Sequence, residues 1–204
     1  MKQNSQTISL GFTQEKFAPG VHICQIFSDD FERQESLLHF ILSGLQTRER
    51  VSCFSNKTTD QAIGEFLTLY GLDYRKAKDC GAFALSDVSD VYFKDHRFDP
   101  DQMISLLRDY YKESMDLGYP AVRVIGEMTP EVQHLRGGER LMEYESRITM
   151  LQRKHPFTAV CQYDARSFDG AMIMDILKVH PLMVVRGSVV HNPFYIQPEE
   201  FLNS

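Results

Sequence analysis

Glycine is missing from the stretch where a nucleotide-binding chain of this pattern would need it. No glycine occurs between His22 and Ser43, although the residues there predict a strand that turns directly into a helix. A P-loop at such a turn uses glycines, so that backbone N–H groups surround a phosphate, and a lysine that neutralises its charge. Two aspartates, Asp29 and Asp30, occupy the turn instead. The sequence therefore indicates a nucleotide-binding element that has lost its nucleotide.

Long apolar runs and paired cysteines are absent too. No run approaches the roughly 20 apolar residues that a membrane-spanning helix requires, and the first residues are polar, unlike a signal peptide. None of the four cysteines forms a Cys-x-x-Cys pair, which removes a common zinc-binding spacing. We expect a cytoplasmic protein that binds no membrane. Its Cys24, Cys53 and Cys161 should be buried as small apolar side chains, and Cys80 should lie in a connection.

Positive charge is in short supply. The 204 residues include 22 Lys and Arg against 28 Asp and Glu, which gives a formal net charge of −6. Because no basic stripe is present to neutralise phosphates, we expect no direct binding of nucleic acid. The hydrophobic fraction of 43% is enough to build the core of one domain of ordinary size.

Strand and helix patterns alternate along the chain. The predicted strands are 22–27, 50–55, 82–85, 121–127 and 157–163, and the predicted helices are 31–45, 60–70, 99–117, 139–154 and 168–179. A terminal hairpin of 182–186 and 188–194 follows around Gly187. This order predicts a three-layer α/β fold, with a mostly parallel sheet, helices on both faces and an antiparallel C-terminal edge hairpin. We interpret residues 1–20 as a loosely held lead-in and 21–204 as a single domain.

Two segments lack a clear pattern. Residues 72–80 indicate a polar connection, and residues 86–96 an irregular acidic segment. Tyr92 and Phe93, with Phe98 just beyond, are the aromatic exceptions there. They indicate either a lid over the carboxyl edge of the sheet or a loop held on the surface by its aromatic side chains.

Ligands of such sheets bind outside the carboxyl ends of the parallel strands. The first residues past those ends are the candidate ligand-binding residues Asp29, Asp30, Asn56, Glu127, Tyr163 and Asp164. Arg33, in the first helix, joins them because arginine often contacts phosphates. We expect Asp29, Glu127 and the Tyr163–Asp164 pair to share one crevice, where neighbouring carboxylates repel and raise one another's pKa. The alternative for each aspartate is a structural role as the cap of a helix or turn.

No arrangement of nucleophile, base or metal ligands is visible in the sequence. No serine lies in a Gly-x-Ser-x-Gly turn, and the seven histidines form neither a His-x-x-x-His nor a His-Glu pair. His155 and His180 precede prolines, which favours a structural role in turns. We therefore expect no catalytic residue, no metal and no cofactor.

Several groups of residues carry a family resemblance. The groups are residues 22–27 with Asp29 and the following helix, residues 161–164 with Phe168, the pair His180-Pro181, and the tail segments 191–195 and 198–201. The tail segments are the most specific of these groups. Together they resemble the MEDS domain, a sensory module of methanogens and methylotrophs that also occurs in a dichloromethane-responsive regulator. The resemblance covers nearly the whole chain, from about His22 to Phe201.

The resemblance implies a degenerate RecA/KaiC-like P-loop fold and a role in signal transduction and transcription regulation. Simple hydrocarbon derivatives are the ligands that it implies. Family members often carry a fused helix-turn-helix, kinase or phosphatase domain, whereas the matched region fills nearly all of this chain. We therefore expect a stand-alone sensor that passes its signal to a protein partner or through a homodimer.

The same resemblance also suggests a comparison with ATPases. Glu127 falls where the RecA-like fold keeps its metal-side acid, but the glycines are missing and Gln34 takes the place of the magnesium-binding hydroxyl. We expect a sensory domain that binds a small molecule or a protein at the carboxyl edge and performs no catalysis. Two alternatives stay open: an interaction or oligomerisation module without a ligand, and a residual nucleotide-binding enzyme.

Overall fold

The structure, a computed structural model, describes residues 7–93 and 96–203. Its strands are β1 (Ile8–Ser9), β2 (Lys16–Phe17), β3 (His22–Phe27), β4 (Arg50–Phe54), β5 (Phe83–Ser86), β6 (Val122–Met128), β7 (Thr158–Asp164), β8 (Leu182–Val185) and β9 (Ser188–His191). Its α-helices are α1 (Asp30–Gln46), α2 (Asp60–Leu69), α3 (Tyr74–Asp79), α4 (Val88–Tyr92), α5 (Pro100–Asp116), α6 (Leu141–Gln152), α7 (Gly170–Val179) and α8 (Pro198–Phe201). Two 3₁₀ turns, Pro130–His134 and Gly138–Arg140, lead into α6.

Seven strands form one sheet in the order β5-β4-β6-β7-β3-β8-β9. All neighbouring strands from β5 to β8 run parallel, and only the last pair, β8 and β9, is antiparallel within this sheet. The predicted α/β fold, with a mostly parallel sheet and an antiparallel C-terminal hairpin, is confirmed. The strand β3 lies beside β7 near the centre, with Cys24 opposite Cys161.

Helices cover both faces of the sheet because side chains alternate along each strand. Ile23 and Val160 belong to the apolar core under α1 and α2. Cys24, one position after Ile23, and Tyr163, three positions after Val160, face the other side and belong to the core under α5, α6 and α7. The central strands β6 and β7 are therefore covered on both sides, as parallel strands require.

Short elements are where the structure departs from the predictions. Within the expected lead-in, β1 and β2 pair as a small hairpin, and Ile8 and Leu10 are buried. The expected polar connection at 72–80 contains α3, and the expected irregular segment at 86–96 contains α4. Both helices begin at an aspartate cap, Asp73 and Asp87, whose side chain accepts a backbone N–H. Capping forms these helices although they carry little apolar periodicity.

The aromatic residues around position 92 are part of the core. Tyr92 and Phe98 are 7% and 2% exposed, and their rings stack with centroids 6.5 Å apart. Tyr144 of α6 packs edge-on against both rings. This packing favours the loop held by its aromatic side chains over the mobile lid. Lys94 and Asp95, between these rings, lie outside the described residues.

The cysteines divide by environment. Cys24 and Cys53 are buried and Cys80 is exposed, as predicted, whereas Cys161 is only partly buried. Burial raises the pKa of the Cys24 thiol to about 12. Among the described helices, none is long and apolar enough to cross a membrane.

A buried ion pair fastens α1 to β6. Arg123 donates to both carboxylate oxygens of Glu49, at 2.8 and 2.6 Å, and to the carbonyl oxygen of Phe40 at 3.0 Å. Both charged side chains are almost completely buried. The guanidinium lies beside Gly44, which has no side chain to obstruct it.

Replacing Gly44 by alanine should destabilise the protein. A Cβ there would lie 2.6 Å from Arg123 Cδ and 2.7 Å from Val51 Cγ2, so the guanidinium would be displaced from Glu49. Breaking a buried ion pair costs about 3–5 kcal/mol, and urea unfolding would measure the loss.

The matched control is Gly64→Ala in the middle of α2. A Cβ there would lie 3.5 Å from the nearest atom of Tyr74, which is ordinary contact. Alanine is favoured over glycine inside a helix by up to about 1 kcal/mol, so this variant should be as stable as the parent or more so. Equal changes at the two glycines would contradict the close packing of α1 on Arg123.

Candidate functional site

The carboxyl ends of the central strands lie side by side at one edge of the sheet. Phe27 of β3 pairs with Asp164 of β7, and Met128 of β6 pairs with Tyr163. Because these strands are parallel, the residues that follow β3, β4, β6 and β7 share one edge. The structure thus places all of the candidate ligand-binding residues at this edge or in the first turn of the helix after it.

The innermost pair at this edge is Arg33 and Glu127, 2% and 3% exposed. Arg33 Nη1 donates to Glu127 Oε1 and, at 3.1 Å, to Thr58 Oγ1. The hydroxyl of Ser55 donates to the same carboxylate oxygen at 2.7 Å. Among the described residues, Arg33 Nε and Glu127 Oε2 have no hydrogen-bond partner. The buried Arg33 is therefore neutralised by a carboxylate of the same chain.

Burial raises the pKa of Glu127 above its ordinary value, although Arg33 and Ser55 act in the opposite direction. Removing a carboxylate from water disfavours its charged form, whereas a neighbouring guanidinium favours it. The direction of the shift agrees with the expectation for the carboxylates of this edge, but its main cause is burial and not repulsion between carboxylates.

A second, more exposed set of charges lies outside this pair. Arg166 donates to Asp164 Oδ1 and Oδ2, both at 2.8 Å, and to Asp30 Oδ2 at 3.0 Å. Lys57 Nζ lies 3.2 Å from Asp164 Oδ2 and 3.7 Å from Asp30 Oδ1. We call these four residues, Asp30, Lys57, Asp164 and Arg166, the rim network. It alternates acids and bases around the edge.

The rim network corrects the expectation that crowded carboxylates raise one another's pKa. Hydrogen bonds from Arg166 hold the pKa of Asp164 far below its ordinary value, and they lower the pKa of Asp30 as well. Lys57 adds to both effects. The sequence analysis missed Lys57 and Arg166 because it considered only the first residues past each strand, and these two lie two or three positions further on.

Three candidates belong neither to the rim network nor to the Arg33–Glu127 pair. Asp29 is exposed and caps α1, accepting the Phe31 N–H at 2.8 Å. Asn56 Oδ1 accepts the Val88 N–H at 2.7 Å and so holds the start of α4. The Tyr163 side chain points to the opposite face of the sheet, where its hydroxyl donates to Glu145 Oε1 at 2.8 Å.

The prediction that Tyr163 shares a crevice with Glu127 is therefore wrong. Alternate residues of a strand face opposite sides, and Tyr163 precedes Asp164 by one position. Its partner Glu145 belongs to a separate buried cluster with His22, Cys161 and His180. These three residues were not candidates for any site in the sequence analysis, since no short spacing connects them.

Glu127→Gln should destabilise the protein. The substitution removes the buried partner of the Arg33 guanidinium and leaves it the half-exposed Asp30 carboxylate, 3.9 Å from Nε. Breaking a buried ion pair costs about 3–5 kcal/mol. Asp29→Asn is the control at the same edge, because asparagine caps helices as well as aspartate and Asp29 is exposed. Denaturant unfolding of both variants tests this. A Glu127→Gln protein as stable as the parent, or more stable, would mean that repulsion among the carboxylates outweighs the ion pair.

Comparison with known proteins identifies the family of the chain. The family described as MEDS, "MEthanogen/methylotroph, DcmR Sensory domain", matches residues 21–181. No curated protein matches the sequence.

Solved structures show similar folds. A KaiC-like protein from Pyrococcus horikoshii OT3 superimposes with a TM-score of 0.59 at 14% identity, over 88% of this chain and 79% of that one. The flagellar accessory protein FlaH from Methanocaldococcus jannaschii gives 0.55 at 13% identity, over 84% and 75%. An uncharacterised Pyrococcus horikoshii protein in complex with an unknown peptide gives 0.58 at 14% identity, over 85% and 82%. At these identities the similarity shows a KaiC-like fold. Because the family match spans well over half of the 204 residues, the chain belongs to the MEDS family of sensory domains.

Proposed function

We propose that this sensory domain recognises a small molecule or a partner protein at the carboxyl edge of its sheet and carries out no catalysis there. The observation that carries the proposal is the buried Arg33–Glu127 pair. In this fold the first helix begins at the place where a phosphate would be bound. Here the cation in that position already has an internal carboxylate as its partner.

A nucleotide would meet further obstacles at this edge. The turn before α1 contains no glycine. Asp29 caps the N-terminus of α1, and Asp30 is the first residue of the helix. These carboxylates compete with an incoming phosphate for the positive end of the helix dipole. Freeing Arg33 for a phosphate would leave the buried Glu127 without its partner, which is costly. A residual nucleotide-binding enzyme is therefore the least supported of the alternatives.

The outer surface of the edge has the composition of a recognition site. The side chains of Asp30, Lys57 and Arg166 are about half exposed, and the neighbouring Phe31 is 73% exposed. An apolar ring surrounded by polar groups is typical of protein interfaces. The charges of the rim network also exchange partners readily in water, so a ligand with a polar group can compete for one of them.

A second candidate function is protein interaction without a small ligand, through a partner or a second copy of the chain. The exposed Phe31 beside the charges of the rim network favours it, because aromatic residues are enriched in protein interfaces. The two candidates differ in a measurable way: only the first predicts stabilisation of the isolated protein by a small molecule.

Magnesium–ATP should neither stabilise the protein nor be hydrolysed by it. The physical reason is the missing glycine cradle together with the internal partner of Arg33. Thermal denaturation with and without millimolar nucleotide, and an assay for released phosphate, would measure this. Stabilisation by ATP that disappears in Lys57→Ala or Arg166→Ala would contradict the proposal, and these exposed residues can be replaced without disturbing the core.

A simple hydrocarbon derivative should raise the melting temperature of the isolated protein. Methanol, methylammonium and dichloromethane are suitable probes, tested separately. A ligand at 100 times its Kd contributes about 2.7 kcal/mol to the stability of the folded state. The increase should be lost or reduced in Arg166→Ala, which removes the arginine that bridges Asp30 and Asp164.

Arg153→Ala is the matched control for this experiment. Arg153 is as exposed as Arg166 and also forms an ion pair, with Glu199, but outside the rim network. A probe effect that is the same in both variants would place the binding site elsewhere. No effect of any probe would favour the interaction module, and Phe31→Ser should then reduce self-association in sedimentation experiments.

A further inference from the structure

Four side chains of metal-binding type meet inside the protein, on the face of the sheet opposite the rim network. His22 begins β3, Glu145 lies in α6, Cys161 lies in β7, and His180 follows α7. One potential ligand atom from each residue lies within 4.8 Å of the others. His22, Glu145 and His180 are buried, and Cys161 is partly buried. We call these four residues the His–Glu–Cys cluster.

Four of the six distances between the ligand atoms match those around a tetrahedral ion, and the other two are at most 4.8 Å. His22 Nε2 lies 3.3 Å from Glu145 Oε2 and 3.4 Å from Cys161 Sγ. His180 Nε2 and Cys161 Sγ lie 3.5 and 3.6 Å from the same carboxylate oxygen. Zinc bonds of about 2.0–2.1 Å to nitrogen or oxygen and about 2.3 Å to sulfur place tetrahedral ligand atoms about 3.3–3.6 Å apart.

The orientation of His180 suits the binding of a cation. Its Nδ1 lies 2.7 Å from the carbonyl oxygen of Ile176, which only accepts, so Nδ1 carries the proton. In the neutral ring Nε2 then presents a lone pair, and within the part of the chain that the structure describes it has no hydrogen-bond partner although it is buried. It faces the negatively charged Glu145 oxygen. Two electron-rich atoms facing each other in the core require a proton or a metal ion between them.

The ring of His22 is also oriented by a partner at its second nitrogen. Its Nδ1 lies 3.0 Å from Thr149 Oγ1, which leaves Nε2 for the cluster. The neutral imidazole is the form of histidine that binds metals, through the ring nitrogen that carries no proton. Partners at the second ring nitrogen, as Thr149 and Ile176 provide, commonly orient metal-binding histidines.

The carboxylate of Glu145 is buried and therefore needs a positive charge near it. Its side chain is about 1% exposed. Within the described part of the chain, its ionic contacts are the two histidines, and no lysine or arginine pairs with it. A buried carboxylate is costly unless it is paired or coordinates a metal. Tyr163, which donates to the other carboxylate oxygen at 2.8 Å, compensates only part of this cost.

We propose that His22, Glu145, Cys161 and His180 form a binding site for a divalent transition-metal ion, with zinc as the best fit. Zinc accepts thiolate, imidazole and carboxylate ligands in tetrahedral geometry. Binding releases the Cys161 thiol proton to solvent, and the resulting thiolate and carboxylate together balance the charge of the ion. His22 and its partner Thr149 also line a surface cleft, together with His191. The site is separate from the rim network and does not depend on its function.

The test uses the full chain, stripped of metal with a chelator and then titrated with Zn²⁺ or Co²⁺. We expect one ion per chain, a higher melting temperature with Zn²⁺, and the thiolate-to-metal charge-transfer band of tetrahedral Co²⁺. Cys161 should react with a thiol reagent more slowly when Zn²⁺ is present. These measurements need no activity assay, and their failure leaves the rim proposal untouched.

Variants locate the ion. Cys161→Ala and Cys161→Ser should both lose the charge-transfer band and weaken binding at least tenfold, and His180→Gln should weaken binding without abolishing the band. Cys53→Ala is the matched control, because Cys53 is a buried thiol on the opposite face of the sheet. A folded parent protein that shows no band, no stabilisation and unchanged Cys161 reactivity would overturn the proposal. So would a band that persists in Cys161→Ser, since the ion would then lie elsewhere.

Discussion

The alternation of side chains along β3, β6 and β7 is the constraint on which the rest of the structure depends. These central strands carry polar residues on both faces, and most buried polar groups in proteins have a hydrogen-bond partner. On the α1 face, Gln162 Nε2 donates to Gln25 Oε1 at 2.7 Å and to the carbonyl oxygen of Arg33 at 3.1 Å. Gln25 in turn donates to Ser36 of α1 at 3.0 Å. A slip of one residue in either strand would break this chain of hydrogen bonds.

Two buried ion pairs extend the constraint from the strands to α1. Arg33 near the start of α1 contacts Glu127 at the carboxyl end of β6, and Arg123 near the start of β6 contacts Glu49 just after α1. The helix is therefore held against β6 at both ends. Buried ion pairs add little net stability, but a broken one is costly, so they select one alignment of helix and strand. The same alignment keeps Arg33 on Glu127 and away from a phosphate.

The sequence predicted what periodicity controls and missed what contacts between distant segments control. The five long helices and the parallel strands have apolar patterns with the correct period, so their order implied the fold and the shared edge of Asp30, Glu127 and Asp164. The short helix α3 has no buried residue, and its cap at Asp73 was the only local signal. The alternation of side chains along β7 could have shown that Tyr163 and Asp164 face opposite sides of the sheet. No local pattern connects His22 with Glu145 or His180, because the fold alone brings them together.

The end of β7 belongs to both proposed sites. Tyr163 hydrogen bonds to Glu145 of the His–Glu–Cys cluster, and the next residue, Asp164, accepts from Arg166 and Lys57 of the rim network. Their shared backbone cannot move without disturbing one of these contacts. If both proposals hold, an ion on Glu145 restrains Tyr163 and thereby the position from which Asp164 meets a rim ligand. Such coupling between binding sites is reciprocal, so rim occupancy would change metal affinity by the same factor as metal occupancy changes rim affinity.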